Sequence, residues 1–267
     1  MTDLAQLAAR AAATPHLFSL DGRVALVVGG TRGLGQAMAL ALAAAGADVC
    51  IAGRGPGGLE ETAQAVGSLG RRATSCATDA SDERQVERLI AHVLEAHGRL
   101  DVLVNSQGIV ALQPSADFDT DEWQRVMDVN VKSVFLCCKH AGRAMLAQGK
   151  GKIINVSSVR GFQGRAQDLA YAPSKGAVNQ LTRSLAIEWG PRGICVNAIA
   201  PTFTPTDLGG GAFLQDPAKL EWVLSRIPMR RLGRLEDLFG PVVFLASDAS
   251  DFVNGHILAV DGGWLAA

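Results

Sequence analysis

Val24-Ala25-Leu26-Val27-Val28-Gly29-Gly30-Thr31-Arg32-Gly33-Leu34-Gly35 is the stretch whose reading decides the fold. Five apolar residues in a row, with no polar alternation, fit a strand covered on both faces. The glycines that follow permit a tight turn, and the apolar period from Gly35 to Ala45 continues as a helix. A strand, a glycine-rich turn and a helix in that order open a βαβ unit.

Outward from this stretch the same alternation repeats. Further strand-like runs lie at Val49–Ala52, Thr74–Thr78, Val102–Val104, Ile153–Val156, Cys195–Ile199 and Ile257–Val260. Helical periods lie between them at Asp82–Ala96, Asp121–Ala147, Ala177–Trp189 and Glu236–Ser247. Most strand runs are apolar on both faces, as right-handed crossovers onto a parallel sheet require. No repeat, low-complexity tract or long Pro/Ser linker divides the chain. The prediction is one doubly wound, Rossmann-type α/β domain over residues 18–267. Its sheet is seven-stranded and mostly parallel, with helices on both faces. Residues 1–17 read as a short N-terminal extension or an extra helix ahead of the domain, in which Asp3 and Arg10 interrupt any secretory apolar region.

Composition narrows the function classes. The 267 residues are 48% hydrophobic, and 25 Lys+Arg stand against 26 Asp+Glu, which argues for a sizeable core and against a grip on nucleic acid. No apolar run reaches the ~18 residues of a membrane span. Cys50, Cys76, Cys137, Cys138 and Cys195 lack zinc-type spacing and read as reduced core residues of a cytoplasmic protein. His16, His92, His97, His140 and His256 are scattered, and no metal site is expected.

In an open parallel sheet, ligands bind beyond the carboxyl ends of the strands. The first such end is Gly29–Gly35, whose spacing is Gly-x3-Gly-x-Gly rather than the commoner Gly-x-Gly-x-x-Gly. Glycine there lets backbone N–H groups and a helix N-terminus approach a pyrophosphate. The second strand ends in Ala52-Gly53-Arg54, with no carboxylate for a free ribose 2′-hydroxyl. Arg54 and Arg32 suit a 2′-phosphate, favouring NADP(H) over NAD(H).

Tyr171, the single tyrosine, precedes Lys175 by four residues, so both side chains share one helical face. A phenol titrates near 10 and is a poor base at neutral pH. A cation ~4 Å away, at an effective dielectric of ~20, would favour the phenolate by ~4 kcal/mol and bring the group towards ~7. Ser158 follows a strand end upstream and can hydrogen-bond a reacting carbonyl or alkoxide. Asn130, polar within an apolar helical stretch, reads either as a structural hydrogen-bonding residue or as part of a proton relay.

Together these residues resemble the short-chain dehydrogenase/reductase family, over about 250 residues from Phe18 to the C-terminus. Asn130, Ser158, Tyr171 and Lys175 match its catalytic tetrad in order and spacing. The resemblance implies that tyrosine is the acid/base, serine orients the substrate oxygen, lysine contacts the nicotinamide ribose, and asparagine holds a proton-relaying water. It also implies cofactor contacts at Gly29, Thr31, Arg32, Gly33, Leu34, Gly35, Arg54, Asp79, Ala80, Asn105, Gly108, Tyr171, Lys175, Pro201 and Thr206, and a homotetramer. The chain departs from the family pattern at Val28, where threonine is usual, at Asn105-Ser106-Gln107-Gly108 for Asn-Asn-Ala-Gly, and at Pro201-Thr202 for Pro-Gly.

Gly33–Leu40, Phe162-Gln163-Gly164 and the stretch from Phe239 to Trp264 look like the family's sugar-acid branch, which includes gluconate 5-dehydrogenase and 2-keto-3-deoxygluconate dehydrogenase. Gln107, Arg160, Gln163 and Arg165 offer polar and cationic partners to a hydroxylated, anionic substrate. The segment 202–234 reads as a lid, with Gly209–Gly211 either its hinge or a mobile surface loop. The expected function is alcohol/ketone interconversion on a small molecule. A 3-ketoacyl-carrier or general carbonyl reductase is the enzymatic alternative, and a dinucleotide-sensing regulatory protein the non-enzymatic one.

Overall fold

The computed structural model describes residues 3–206 and 211–267. Its sheet comprises β1 (Val24–Val28), β2 (Asp48–Gly53), β3 (Ala73–Ala77), β4 (Val102–Asn105), β5 (Gly151–Val156), β6 (Ile194–Pro201) and β7 (Ile257–Val260). They pair in the order β3-β2-β1-β4-β5-β6-β7, and every pair is parallel. The chain reverses its direction of winding between β1 and β4, the switch point where such sheets open a crevice. Register places Val28 beside both Ala52 and Asn105, and Asn105 beside Asn155, so these carboxyl ends form one rim.

Alternate side chains of the same strand feed two cores. Leu26, Leu103 and Ile153 pack with the helices Glu83–His97, Ser133–Gln148 and Tyr171–Trp189. Val27, Val104 and Ile154 pack on the other face against Met38, Leu42 and Leu245, from the helices Gly33–Ala44 and Phe239–Ala246. All five residues of β1 are buried, as the unbroken apolar run requires. The two edge strands, β3 and β7, are partly exposed along their length.

Two local features differ from the sequence expectation. The period read as one helix over 121–147 is a helix at Thr120–Met127, a π-turn at Asp128–Lys132, and a second helix at Ser133–Gln148. The wide turn surrounds Asn130, which is fully buried; such bulges favour functional sites. Pro56–Ser68 is helical although Gly57 and Gly58 break its pattern. Gly58 is required by packing, because a Cβ there would lie 2.5 Å from the Thr31 carbonyl oxygen. Near the N-terminus, Leu4–Ala12 forms an exposed helix capped by Asp3. The expected hinge positions Gly209 and Gly210 lie outside the described residues; beyond them come the helices Gly211–Leu214 and Pro217–Arg226.

Candidate active site

A cleft of about 730 Å³ opens at the carboxyl ends of the strands. One end is lined by Gly29, Thr31, Arg32, Gly33, Leu34, Gly35, Arg54, Asp79 and Ala80. The turn works because it has no side chains where main chains meet. A Cβ on Gly35 would lie 2.1 Å from the Gly29 carbonyl oxygen, and Gly29 itself has φ +80°. Asp79 is held below its ordinary range chiefly by hydrogen bonds from the Ser81 side chain and backbone, with a further contribution from Arg54. The Ser81 hydroxyl donates to Asp79 Oδ1 at 2.7 Å.

At the other end the tetrad members converge. Ser158, Tyr171 and Lys175 all line the cleft. Ser158 Oγ caps the 3-10 turn Val159–Gly161 by accepting from the Arg160 amide at 3.1 Å, which leaves its O–H to donate elsewhere. Lys175 Nζ donates to the Val156 carbonyl at 2.7 Å and lies 5.7 Å from the Tyr171 ring centroid. Asn130 lies behind these groups. Its Oδ1 accepts from the Ile109 amide at 2.8 Å, and its Nδ2 donates to the Ile109 carbonyl at 2.9 Å and to Ser174 Oγ at 3.0 Å. Those bonds tie the segment after β4 to the first turn of the tyrosine helix.

The electrostatics correct the sequence expectation of a phenol brought down by a lysine ~4 Å away. Burial holds Tyr171 above its usual value; the Ser158 hydrogen bond pulls it down, Asp168 pushes it up and Arg160 lowers it. Burial also brings Lys175 down, to about 8. Desolvation of both groups therefore outweighs the attraction their spacing promised.

Of the remaining sequence-predicted residues, Gln107, Gly108, Arg160, Arg165, Pro201 and Thr206 line the cleft. Asn105 does not: its Nδ2 donates to Asn155 Oδ1 at 2.9 Å and cross-braces β4 and β5. Gln163 instead borders a neighbouring depression, where its Oε1 accepts from Trp264 Nε1 at 2.9 Å. Thr202 and Phe203, from the segment read as a lid, also line the cleft, and sequence reasoning missed Asp168. Asp168 is buried and accepts from the Ala172 amide at 2.9 Å; an acid three residues before the sole tyrosine was its available signal. Gln107 Oε1, Arg160 Nη2 and Thr202 Oγ1 are buried without a hydrogen-bond partner, all on cleft-lining residues. Two of them, Gln107 and Thr202, occupy positions where the chain departs from the family pattern.

Away from the cleft, Glu83, Glu87 and His140 gather from two helices into a group with metal-capable atoms. Lys139 Nζ lies 2.6 Å from Glu83 Oε1 and His140 Nε2 lies 3.0 Å from it, so the acid is already partnered.

The family model described as enoyl-(acyl carrier protein) reductase matches residues 28–265. The chain belongs to the short-chain dehydrogenase/reductase family. This dehydrogenase/reductase is 46% identical over 248 residues to 2-dehydro-3-deoxy-D-gluconate 5-dehydrogenase of Bacillus subtilis (strain 168), covering 93% of this chain and 96% of that one. It is 42% identical over 246 residues to cis-4-hydroxycyclohexanecarboxylate dehydrogenase of Sinomonas cyclohexanicum, covering 91% and 97%. Among solved structures, a gluconate 5-dehydrogenase from Burkholderia cenocepacia J2315, in complex with NADP and tartrate, superposes with a TM-score of 0.91 at 39% identity. It covers 94% of this chain and 98% of that one. The protein is thus an oxidoreductase acting on CH–OH groups. No helix among the described residues is long and apolar enough to cross a membrane.

Proposed function

We propose that this enzyme transfers a hydride between NADP(H) and a secondary alcohol or ketone of a sugar acid, such as gluconate or a keto-gluconate. The observation that carries the reading is the meeting of Ser158, Tyr171 and Lys175 in the cleft that begins at the Gly29–Gly35 turn. The glycine cradle, which a single added Cβ would fill, fits a pyrophosphate. Arg32 and Arg54 line that end of the cleft, and no carboxylate ends β2, which suits the 2′-phosphate of NADP. Bound there, the dinucleotide supplies the hydride acceptor or donor.

The protein's own part is positioning and proton transfer. In oxidation, the Ser158 hydroxyl fixes the substrate oxygen and Tyr171 Oη accepts its proton; in reduction, Tyr171 Oη returns it. Lys175 adds positive charge beneath the site and a donor for the cofactor ribose. Asn130 keeps the tyrosine helix and the segment after β4 in register through Ser174 and Ile109. Two relatives named above act on molecules that combine a carbinol with a carboxylate, which supports an acid as the substrate. Half-exposed Phe135 and strongly exposed Ile187, on the two long helices, suit burial against further copies in a homotetramer.

The test is a set of initial rates with purified enzyme, both cofactors, and sugar acids beside polyols, neutral ketones and a 3-ketoacyl thioester. Highest kcat/KM is expected for a sugar acid with NADP(H). Arg54→Ala should lose about 10–100-fold in kcat/KM for NADP(H), the scale of charged hydrogen bonds, while NAD(H) changes little. Preference for neutral ketones or the thioester would overturn the substrate reading, and preference for NAD(H) the cofactor reading.

A further inference from the structure

The substrate half of the cleft has an electrostatic character that the whole chain lacks. Formal charge over the sequence is −1, yet Arg160 and Arg165 line this part of the cleft with Asp168 as their acidic neighbour. Among the described residues, no carboxylate lies within ion-pair distance of either guanidinium. Arg226 adds a third cation beside them, its Cζ 5.7 Å from the Trp264 ring centroid.

Arg160 is the most constrained of the three. Its Cζ lies 5.5 Å over the Trp264 ring, a cation–π contact. Trp264 is itself immobilised: it is 2% exposed and its Nε1 donates to Gln163 Oε1. Arg160 Nη2 is cut off from water without a hydrogen-bond partner, and burial pushes the guanidinium below its ordinary value. A cation held out of water costs free energy unless an anion or hydrogen-bond acceptors compensate it. The stack on Trp264 replaces part of that lost hydration. An anion in the cleft would supply the rest.

Position makes that anion part of the substrate. Arg160 stands two residues after Ser158, on the same 3-10 turn, and its own amide donates to Ser158 Oγ. Its positive charge is felt at Tyr171, and Arg165 is felt at Arg160 in turn. An anion on Arg160 therefore lies within one arginine side chain of the reacting oxygen. Planar, forked guanidinium geometry matches a carboxylate better than a hydroxyl.

We infer that Arg160, stacked on Trp264 and backed by Arg165, is the carboxylate-binding residue of the substrate half, and that it selects acids whose carboxylate lies a few carbons from the reacting carbinol. The inference rests on the sugar-acid reading for its substrate, though not for its anion. Gln163 enters as a positioning residue, acting through Trp264 rather than on substrate.

The experiment compares wild type, Arg160→Met and Arg160→Lys with gluconate, with a neutral secondary alcohol, and with tartrate as an inhibitor of neutral-alcohol turnover. Methionine preserves the apolar packing on Trp264, and lysine preserves the charge without the fork. Arg160→Met should lose about 10–100-fold in kcat/KM for the acid, mainly through KM, and weaken tartrate inhibition by a similar factor. Neutral-alcohol kcat/KM should fall clearly less than the acid's, because both substrates share only the loss of the Arg160 charge at Tyr171, and Arg160→Lys should recover part of the acid's kcat/KM. Equal losses on acid and neutral alcohol, or unchanged tartrate inhibition, would overturn the assignment. If wild type turns over no sugar acid but tartrate still inhibits through Arg160, the sugar-acid reading fails and the carboxylate site stands.

Discussion

Tyr171→Phe should lower kcat by about 10²–10⁴-fold, the usual scale of a lost general acid or base, while NADPH binding stays within about twofold. The substitution removes one oxygen. Phenylalanine keeps the ring beside Lys175 and gives up only the hydrogen bond between the phenol and Ser158. Retained turnover would end the assignment of Tyr171 as acid/base. Because the chain has one tyrosine, the ultraviolet tyrosinate band of the wild type reports this residue alone. Burial raises the phenol, so in the cofactor-free enzyme the band should develop above the ordinary value near 10. Asp168 adds to that elevation because a nearby anion disfavours the phenolate; Asp168→Asn should move the titration to lower pH. A band that develops near neutrality without cofactor would restore the direct Lys175 effect that the spacing alone implies.

Gly35→Ala should weaken NADP(H) binding by about 10–100-fold, the equivalent of about 1–3 kcal/mol of overpacking. The added Cβ would meet backbone on a neighbouring turn, 2.1 Å from the Gly29 oxygen and 2.8 Å from the Gly29 carbonyl carbon. Neither atom can rotate away, so the cradle itself must open. Gly67→Ala is the control, since a Cβ there meets nothing within 4 Å and alanine is the better helix former. Titrating NADPH fluorescence against each variant separates the cases. Near-wild-type affinity in Gly35→Ala would show that the turn does not depend on this close approach.

The fold was legible because burial on both faces leaves an unbroken apolar signature. Val24–Val28 coincides with the fully buried β1, and the glycine turn stands at its end. Legibility failed where a side chain serves a partner distant in sequence. Asn130 widens a helix into a π-turn because Ile109 and Ser174, 21 and 44 residues away, take its hydrogen bonds. Gly57 and Gly58 hide a helix because the glycine needed for contact with Thr31 weakens the local pattern.

The candidate site divides in the same way. Ser158, Tyr171 and Lys175 stand out through spacing along one strand end and one helix. Their energetics do not, because spacing carries no information on desolvation, and burial brings Lys175 to about 8. Gln163 and Arg160 are three residues apart after β5, yet one braces Trp264 by hydrogen bond and the other lines the cleft. Only the path of the chain after β5 decides which is which.

The most direct measurement follows deuterium from gluconate, labelled at its carbinol carbons, onto NADP+ in the presence of the enzyme. One deuterium per turnover in the reduced cofactor, with slower turnover than for unlabelled gluconate where hydride transfer limits the rate, is the result expected of hydride transfer from a secondary alcohol. Unlabelled NADPH, or no NADPH from gluconate at all, would contradict it.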